Sequence, residues 1–237
     1  MSGGFHHSWK VSPAQAVSLQ KQISSRIIDR PLRRPVRLVA GVDAAIAPAK
    51  DKIVAAVVLL KLQDPWLPEQ DAAPSSEFTV LEQQHAWAEL TFPYIPGLLS
   101  FREAPVVLQA MKKLRHLPDL VILDAQGKAH PRRAGLASHV GVLSGLPCVG
   151  CAKSRLTGQH RQPGSARGCS ADLLDKDGQV IGRVLRTRRD VKCLYVSVGH
   201  LVSLDQATSI VLALARPYRL PQPTRLAHLL AAKLRQE

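Results

Sequence analysis

Two aspartates interrupt apolar runs that otherwise read as buried strands. Asp43 sits within Leu38-Val-Ala-Gly-Val-Asp-Ala-Ala-Ile-Ala47, and Asp124 follows Leu120-Val-Ile-Leu123 and opens into Ala125-Gln-Gly127. An ionised carboxylate in such a run is costly unless a cation compensates it, either a buried arginine or lysine or a divalent metal. Asp124 also occupies the carboxyl end of a strand, where open α/β sheets hold their chemistry; its plainer alternative is an aspartate that caps the next turn. Glu103 stands three residues after Ser100, a capping-box spacing that by itself suggests a helix cap. Taken together, three carboxylates on separate elements are hard oxygen ligands suited to magnesium, with manganese as a substitute. Such an ion supports phosphodiester hydrolysis.

The elements that must position these acids follow from periodicity. Residues 12–28 carry helical spacing, with Ala16, Leu19, Ile23 and Ile27 on one face. Residues 38–47 and 53–62 read as strands joined by a short turn at 48–51, and 78–90 as a third strand after a longer loop at 63–76. That is an antiparallel meander. Helices are expected at 100–114, 135–144, 204–215 and 224–235. Strands are expected at 120–124, 147–152, 179–185 and 194–198, with a basic, glycine-containing loop at 154–169. The fold class is α/β, a mixed sheet in which a three-strand antiparallel meander is followed by parallel strands and flanked by helices. Acids in the first strand, the next helix and the fourth strand give it the layout of the ribonuclease H-like nucleases. We expect one domain over residues 1–237, with residues 1–10 flexible.

Composition narrows the partner. Lys and Arg total 32 against 18 Asp and Glu, a formal charge of +14, and a surplus of that size attracts polyanions, nucleic acid foremost. Residues 1–10 lack an apolar signal core, and no apolar run approaches the roughly 20 residues of a membrane span. No membrane partner is expected. The four cysteines include a Cys148-x-x-Cys151 pair without a second pair at metal-ligand spacing. They read as reduced thiols of a cytoplasmic protein.

Longer blocks are more specific. Phe92-Pro-Tyr-Ile-Pro-Gly-Leu-Leu-Ser-Phe-Arg-Glu103, Val39-Ala-Gly-Val-Asp43 and the segment from Asp124 to Gly141 resemble, in order, blocks of the endonuclease V family. Cys151-Ala-Lys-Ser-Arg-Leu156, Tyr195-Val-Ser-Val-Gly-His200 and Pro223-Thr-Arg-Leu-Ala-His228 are similar to its later ones. The resemblance implies a magnesium-dependent endodeoxyribonuclease that repairs deaminated adenine. It would cut DNA at the second phosphodiester bond 3′ to deoxyinosine and leave 5′-phosphate ends. It further implies Asp43, Glu103 and Asp124 as metal and catalytic acids, Lys153 as a basic group near the scissile phosphate, and His228 as a fourth active-site group. Tyr94 would be a wedge that fills the gap left by an extruded base. Pro93 and Pro96 restrict the turn, Pro93 and Ile95 would meet the nucleic acid beside Tyr94, Gly97 and Gly127 would let backbone amides approach the base, and His130 would contact phosphate or support the loop. Ala125 departs from the glycine usual after the second aspartate. A monomer is expected, acting on DNA with deoxyinosine or other deaminated bases. Alternatives are cleavage of inosine-containing RNA and a structure-specific DNA nuclease of the same fold; a non-catalytic binder fits poorly with three retained acids.

Overall fold

A computed structural model describes residues 5–47, 51–67 and 75–236. The expected meander is present as β1 (Val36–Ala47), β2 (Lys52–Trp66) and β3 (Phe78–Glu89), each pair antiparallel. The helix α2 (Leu99–Lys112) then leads to β4 (Leu120–Leu123), and α3 (Leu136–Ser144) leads to β5 (Cys148–Ala152). β4 lies between β1 and β5 and pairs with each in parallel. The chain continues through β6 (Ser170–Leu174), β7 (Val180–Leu185) and β8 (Leu194–His200) to α4 (Leu204–Leu214) and α5 (Gln222–Gln236). Strand order across the single eight-stranded sheet is β3-β2-β1-β4-β5-β8-β7-β6, with antiparallel pairing again from β5 outward. Parallel pairing is thus confined to the centre.

Alternation along β1 sorts the core onto two faces. Ala40 and Val42 pack with Leu59, Val121 and Leu123 beneath Ala104, Val107 and Val140 of α2 and α3. Val39 faces the other way with Leu120, Ile122, Val149 and Val196, covered by Ile210 and Val211 of α4. α5 lies over Val58 and Leu60 through Ala227. Cover on both faces explains why β2 reads as an unbroken apolar run from Ile53 to Leu60 rather than as an alternation.

Several boundaries differ from expectation. β2 continues to Trp66, which is buried opposite Val36 and carries polar Gln63 and Asp64 along with it. The first helix, α1 (Pro13–Ser24), starts with a Ser12–Gln15 capping box and stops four residues early. β6 was not expected at all: it is a short edge strand, and Leu173 is its one buried residue, so there is little pattern to read. Positions 48–50 of the turn and 68–74 of the loop lie outside the described residues. Residues 5–10 form no regular element, but Trp9 packs against the core and His7 Nε2 lies 2.7 Å from His139 Nε2. All four cysteines are free. No helix of the described residues is long and apolar enough to cross a membrane.

Candidate active site

Register in the middle of the sheet brings the two aspartates together. The parallel ladder pairs Val42 with Leu123, so Asp43 and Asp124 are the next residues on adjacent strands. The Asp124 amide extends the ladder by donating to the Val42 carbonyl at 3.1 Å. Gly41 has the same parity as Asp43 and lies under the start of α5. A Cβ on Gly41 would stand 1.9 Å from the Pro223 carbonyl carbon. This bare glycine lets α5 close onto β1, and His228, one turn beyond Thr224, sets its Nδ1 2.6 Å from Asp43 Oδ2. Lys153, just past β5, forms an ion pair with Asp124.

Among the described residues, Asp43, Asp124 and His228 offer ligand atoms that all lie within 4.8 Å of one another. Glu103 is not one of that trio. It reaches the same place from the first turn and a half of α2, and its carboxyl is pushed up to about 8, first by burial and then by the charges of Asp43 and Asp124. Asp43 is raised for the same reasons, burial first and Asp124 second, against the pull of His228 and Lys153. The capping box suggested by spacing does not form. α2 begins after Leu98 with no side-chain cap, and Ser100 lies inside the helix with its hydroxyl buried and unpartnered. Glu103 makes no hydrogen bond or ion pair among the described residues. Three carboxylates thus repel one another at one place despite Lys153, His228 and the Arg102 charge beside Glu103, an arrangement that a hard divalent cation fits.

The acids open into a cleft of about 490 Å³ whose other end is the loop that carries Tyr94. Tyr94 is 69% exposed, an unusual setting for so large a ring, and Pro93 beside it is exposed as well. Ile95 anchors the loop against the Phe92–Phe101 cluster. The turn closes by donation from the Leu98 amide to the Ile95 carbonyl at 2.9 Å, with Gly97 at φ +78°, a conformation that favours glycine. The Gly97 carbonyl then accepts three side-chain donors: Gln20 Nε2 at 2.9 Å, His130 Nε2 at 3.0 Å and Arg132 Nη2 at 2.7 Å. His130 Nδ1 accepts from the Arg132 amide at 3.1 Å, which fixes the tautomer. Burial, then the Arg132 charge, depresses His130 to about 4, so it is a neutral support.

Gly127 is not part of the cleft wall: its amide donates to Ser197 Oγ at 2.9 Å, and a Cβ there would meet the Val198 carbonyl oxygen at 2.2 Å. Its lack of a side chain serves packing against β8. Arg133 pairs with Asp175, and the buried His200 accepts the Ile28 amide at Nδ1, 3.2 Å away. Gln20, Gln126 and Gly41 were not singled out from sequence. Gln20 could have been, since it interrupts the buried stripe Ala16, Gln20, Ile23 of α1.

Residues 19–229 match the family model for endonuclease V. The chain belongs to the endonuclease V family. A family relative from Roseiflexus sp. is 47% identical over 98% of this chain and 97% of its own length. The crystal structure of the Streptomyces avermitilis endonuclease V superposes with a TM-score of 0.85 at 40% identity, covering 97% of this chain and 95% of that one. A more distant likeness, in fold, is the Ciona intestinalis endonuclease V, at TM-score 0.76 and 24% identity over 94% and 97% of the two chains. That protein was crystallised with a 24mer DNA containing an inosine followed by a ribo-adenosine. This endonuclease therefore has the ribonuclease H-like fold of its family, with Asp43 on β1, Asp124 at the end of β4 and Glu103 on α2.

Proposed function

We propose that this endonuclease cuts DNA at the second phosphodiester bond 3′ to deoxyinosine, with magnesium as its ion and 5′-phosphate ends as its products. One observation carries the reading: a single cleft joins the cluster of Asp43, Glu103 and Asp124 to the exposed Tyr94. Asp43, Asp124 and Glu103 would hold the ion, which when bound favours hydroxide formation and offsets charge on the leaving oxygen. His228 keeps Asp43 oriented through the Nδ1 hydrogen bond. Lys153, paired with Asp124 in the free protein, would meet the scissile phosphate. Tyr94 replaces the stacking lost when the base leaves the helix, and a loop bounded by Pro93 and Pro96 loses little entropy in presenting it. Gly97, Ile95 and His130 line the space that the extruded base would enter. The inosine-containing DNA bound by the Ciona relative supports this substrate class.

The test uses matched oligonucleotides, DNA and RNA, each with one inosine, incubated with magnesium, with manganese and with chelator. The expected result is a single cut in the DNA at the stated bond, absent with chelator and absent for Asp43→Asn, which should still bind. Equal cutting of DNA and RNA, or cutting that survives chelation, would overturn the reading.

A further inference from the structure

Lys153 lies one residue past β5, where the ladder with β8 ends at the Ala152–Tyr195 pair. The sheet therefore does not hold its main chain, although its ammonium must meet Asp124. Side chains take over from the ladder. Arg219 Nη2 donates to the Lys153 carbonyl at 3.1 Å and to the Cys193 carbonyl at 2.9 Å, and its Nε donates to the Lys192 carbonyl at 2.8 Å. On the next residue, Gln126 Nε2 donates to the Ser154 carbonyl at 2.8 Å. Arg219 is itself tied down, since its own carbonyl accepts Thr187 Oγ1 at 2.6 Å.

We propose that Arg219 is a positioning residue for Lys153, fixing the backbone from which the ammonium reaches Asp124. The proposal rests on the reading of Lys153 as the cation beside the scissile phosphate. All three acceptors are neutral carbonyls, so this guanidinium is not engaged in neutralising an acid. A planar fork with five donors on three nitrogens can serve carbonyls from two chain segments at once; a lysine's three donors share one atom and lack that span. The segments it joins are the end of β5 and the turn before β8, and it does so from the α4–α5 linker. That linker runs directly into α5, the helix of His228. One side chain thus ties together the backbone supports of two site residues. Rates are sensitive to such support because a displacement of about 1 Å in a reacting group can cost about 100-fold.

The experiment is a double-mutant cycle on full-length protein, read as single-turnover cleavage of an inosine-containing duplex at saturating enzyme, with duplex affinity measured separately. Arg219→Gln should slow cleavage about 10-fold and leave affinity within about twofold. Arg219→Lys, with one bond restored, should fall between the two. Lys153→Gln should be slow, and the double variant no slower than Lys153→Gln alone. A double variant slowed by the full product of the single effects, or an Arg219→Gln rate within about twofold of the parent, overturns the clamp and leaves the Lys153 reading intact. A parental rate for Lys153→Gln overturns that reading and the clamp with it. If Arg219→Gln fails to fold, Arg219→Lys is carried through the same cycle and judged by the same criteria.

Discussion

The two ends of the cleft are built by opposite means. At the acid end, Asp43 and Asp124 sit on neighbouring central strands whose register is set by an apolar core on both faces, and Glu103 and His228 arrive on helices packed against that sheet. At the other end, Tyr94 projects from a loop that rests on Ile95 and is gathered at one atom, the Gly97 carbonyl, which accepts from Gln20, His130 and Arg132. On the proposed function, chemistry falls to acids whose backbone cannot shift without disrupting the core. On the same proposal, recognition falls to one ring that can stay in water until a base leaves its stack. Rigidity comes from packing at the first end and mainly from converging hydrogen bonds at the second. Mutations should therefore injure the two ends in different currencies, stability at the first and substrate handling at the second.

Gly41→Ala should show the largest effect. The new methyl would stand 1.9 Å from the carbonyl carbon and 2.1 Å from the carbonyl oxygen of Pro223. Those are backbone atoms, so α5 must lift, and His228 leaves Asp43 with it. Overpacking of this kind costs roughly 1–3 kcal/mol, and misplacement of site groups costs about 100-fold in rate. The expected result is a lower melting temperature together with a cleavage rate down by about that factor, with affinity for inosine-containing DNA largely kept. An unchanged melt and rate would mean that α5 is not seated by the sheet, and the contrast between the two ends would collapse.

Tyr94→Ala should do the reverse. The ring is 69% exposed, so the melting temperature should stay within the small range of surface substitutions. Loss of one aromatic–base stack is worth roughly 1–3 kcal/mol, which corresponds to cleavage of an inosine-containing duplex falling about 10- to 100-fold. A single-stranded inosine substrate has less stacking to replace and should lose less. Equal losses on single and double strands would remove the wedge role from Tyr94.

How much of this was legible in the sequence depends on the range of the forces involved. The meander, the central strands and the α2 and α5 helices follow from periodicity, and Asp43 and Asp124 announce themselves because a carboxylate in an apolar run demands compensation. The resemblance in the Pro93–Pro96 block singled out Tyr94. What stayed hidden is whatever depends on a partner distant in the chain. Gly41 looks like any strand glycine until Pro223 is seen against it. Gly127 looks like a loop glycine free to approach a base, yet its amide is taken by Ser197. Local spacing misled at Glu103, where the helix starts a residue ahead of the serine that should have capped it. β6 gave no signal because an exposed edge strand of five residues needs no apolar pattern.

The smallest effect expected is a pH dependence confined to the hydrogen-bonded end. His130 is depressed from 6.5 to about 4, by burial first and by the Arg132 charge second. Between those values the unfolded chain takes up a proton that the folded chain refuses. Stability from this residue is therefore intact above about pH 6.5 and is lost as pH falls toward about 4, at up to about 1.4 kcal/mol per pH unit. His139, depressed to about 3 by burial and by nearby His7, adds a slope of the same sign, so the informative quantity is the difference between parent and variant. His130→Gln keeps an amide that can donate to the Gly97 carbonyl but cannot titrate. Denaturant melts across pH 4 to 7 should give the variant a shallower fall than the parent, with little difference at pH 7. An identical slope would mean that His130 accepts its proton without releasing Gly97, and the Gly97 carbonyl would then be held by Gln20 and Arg132 without it.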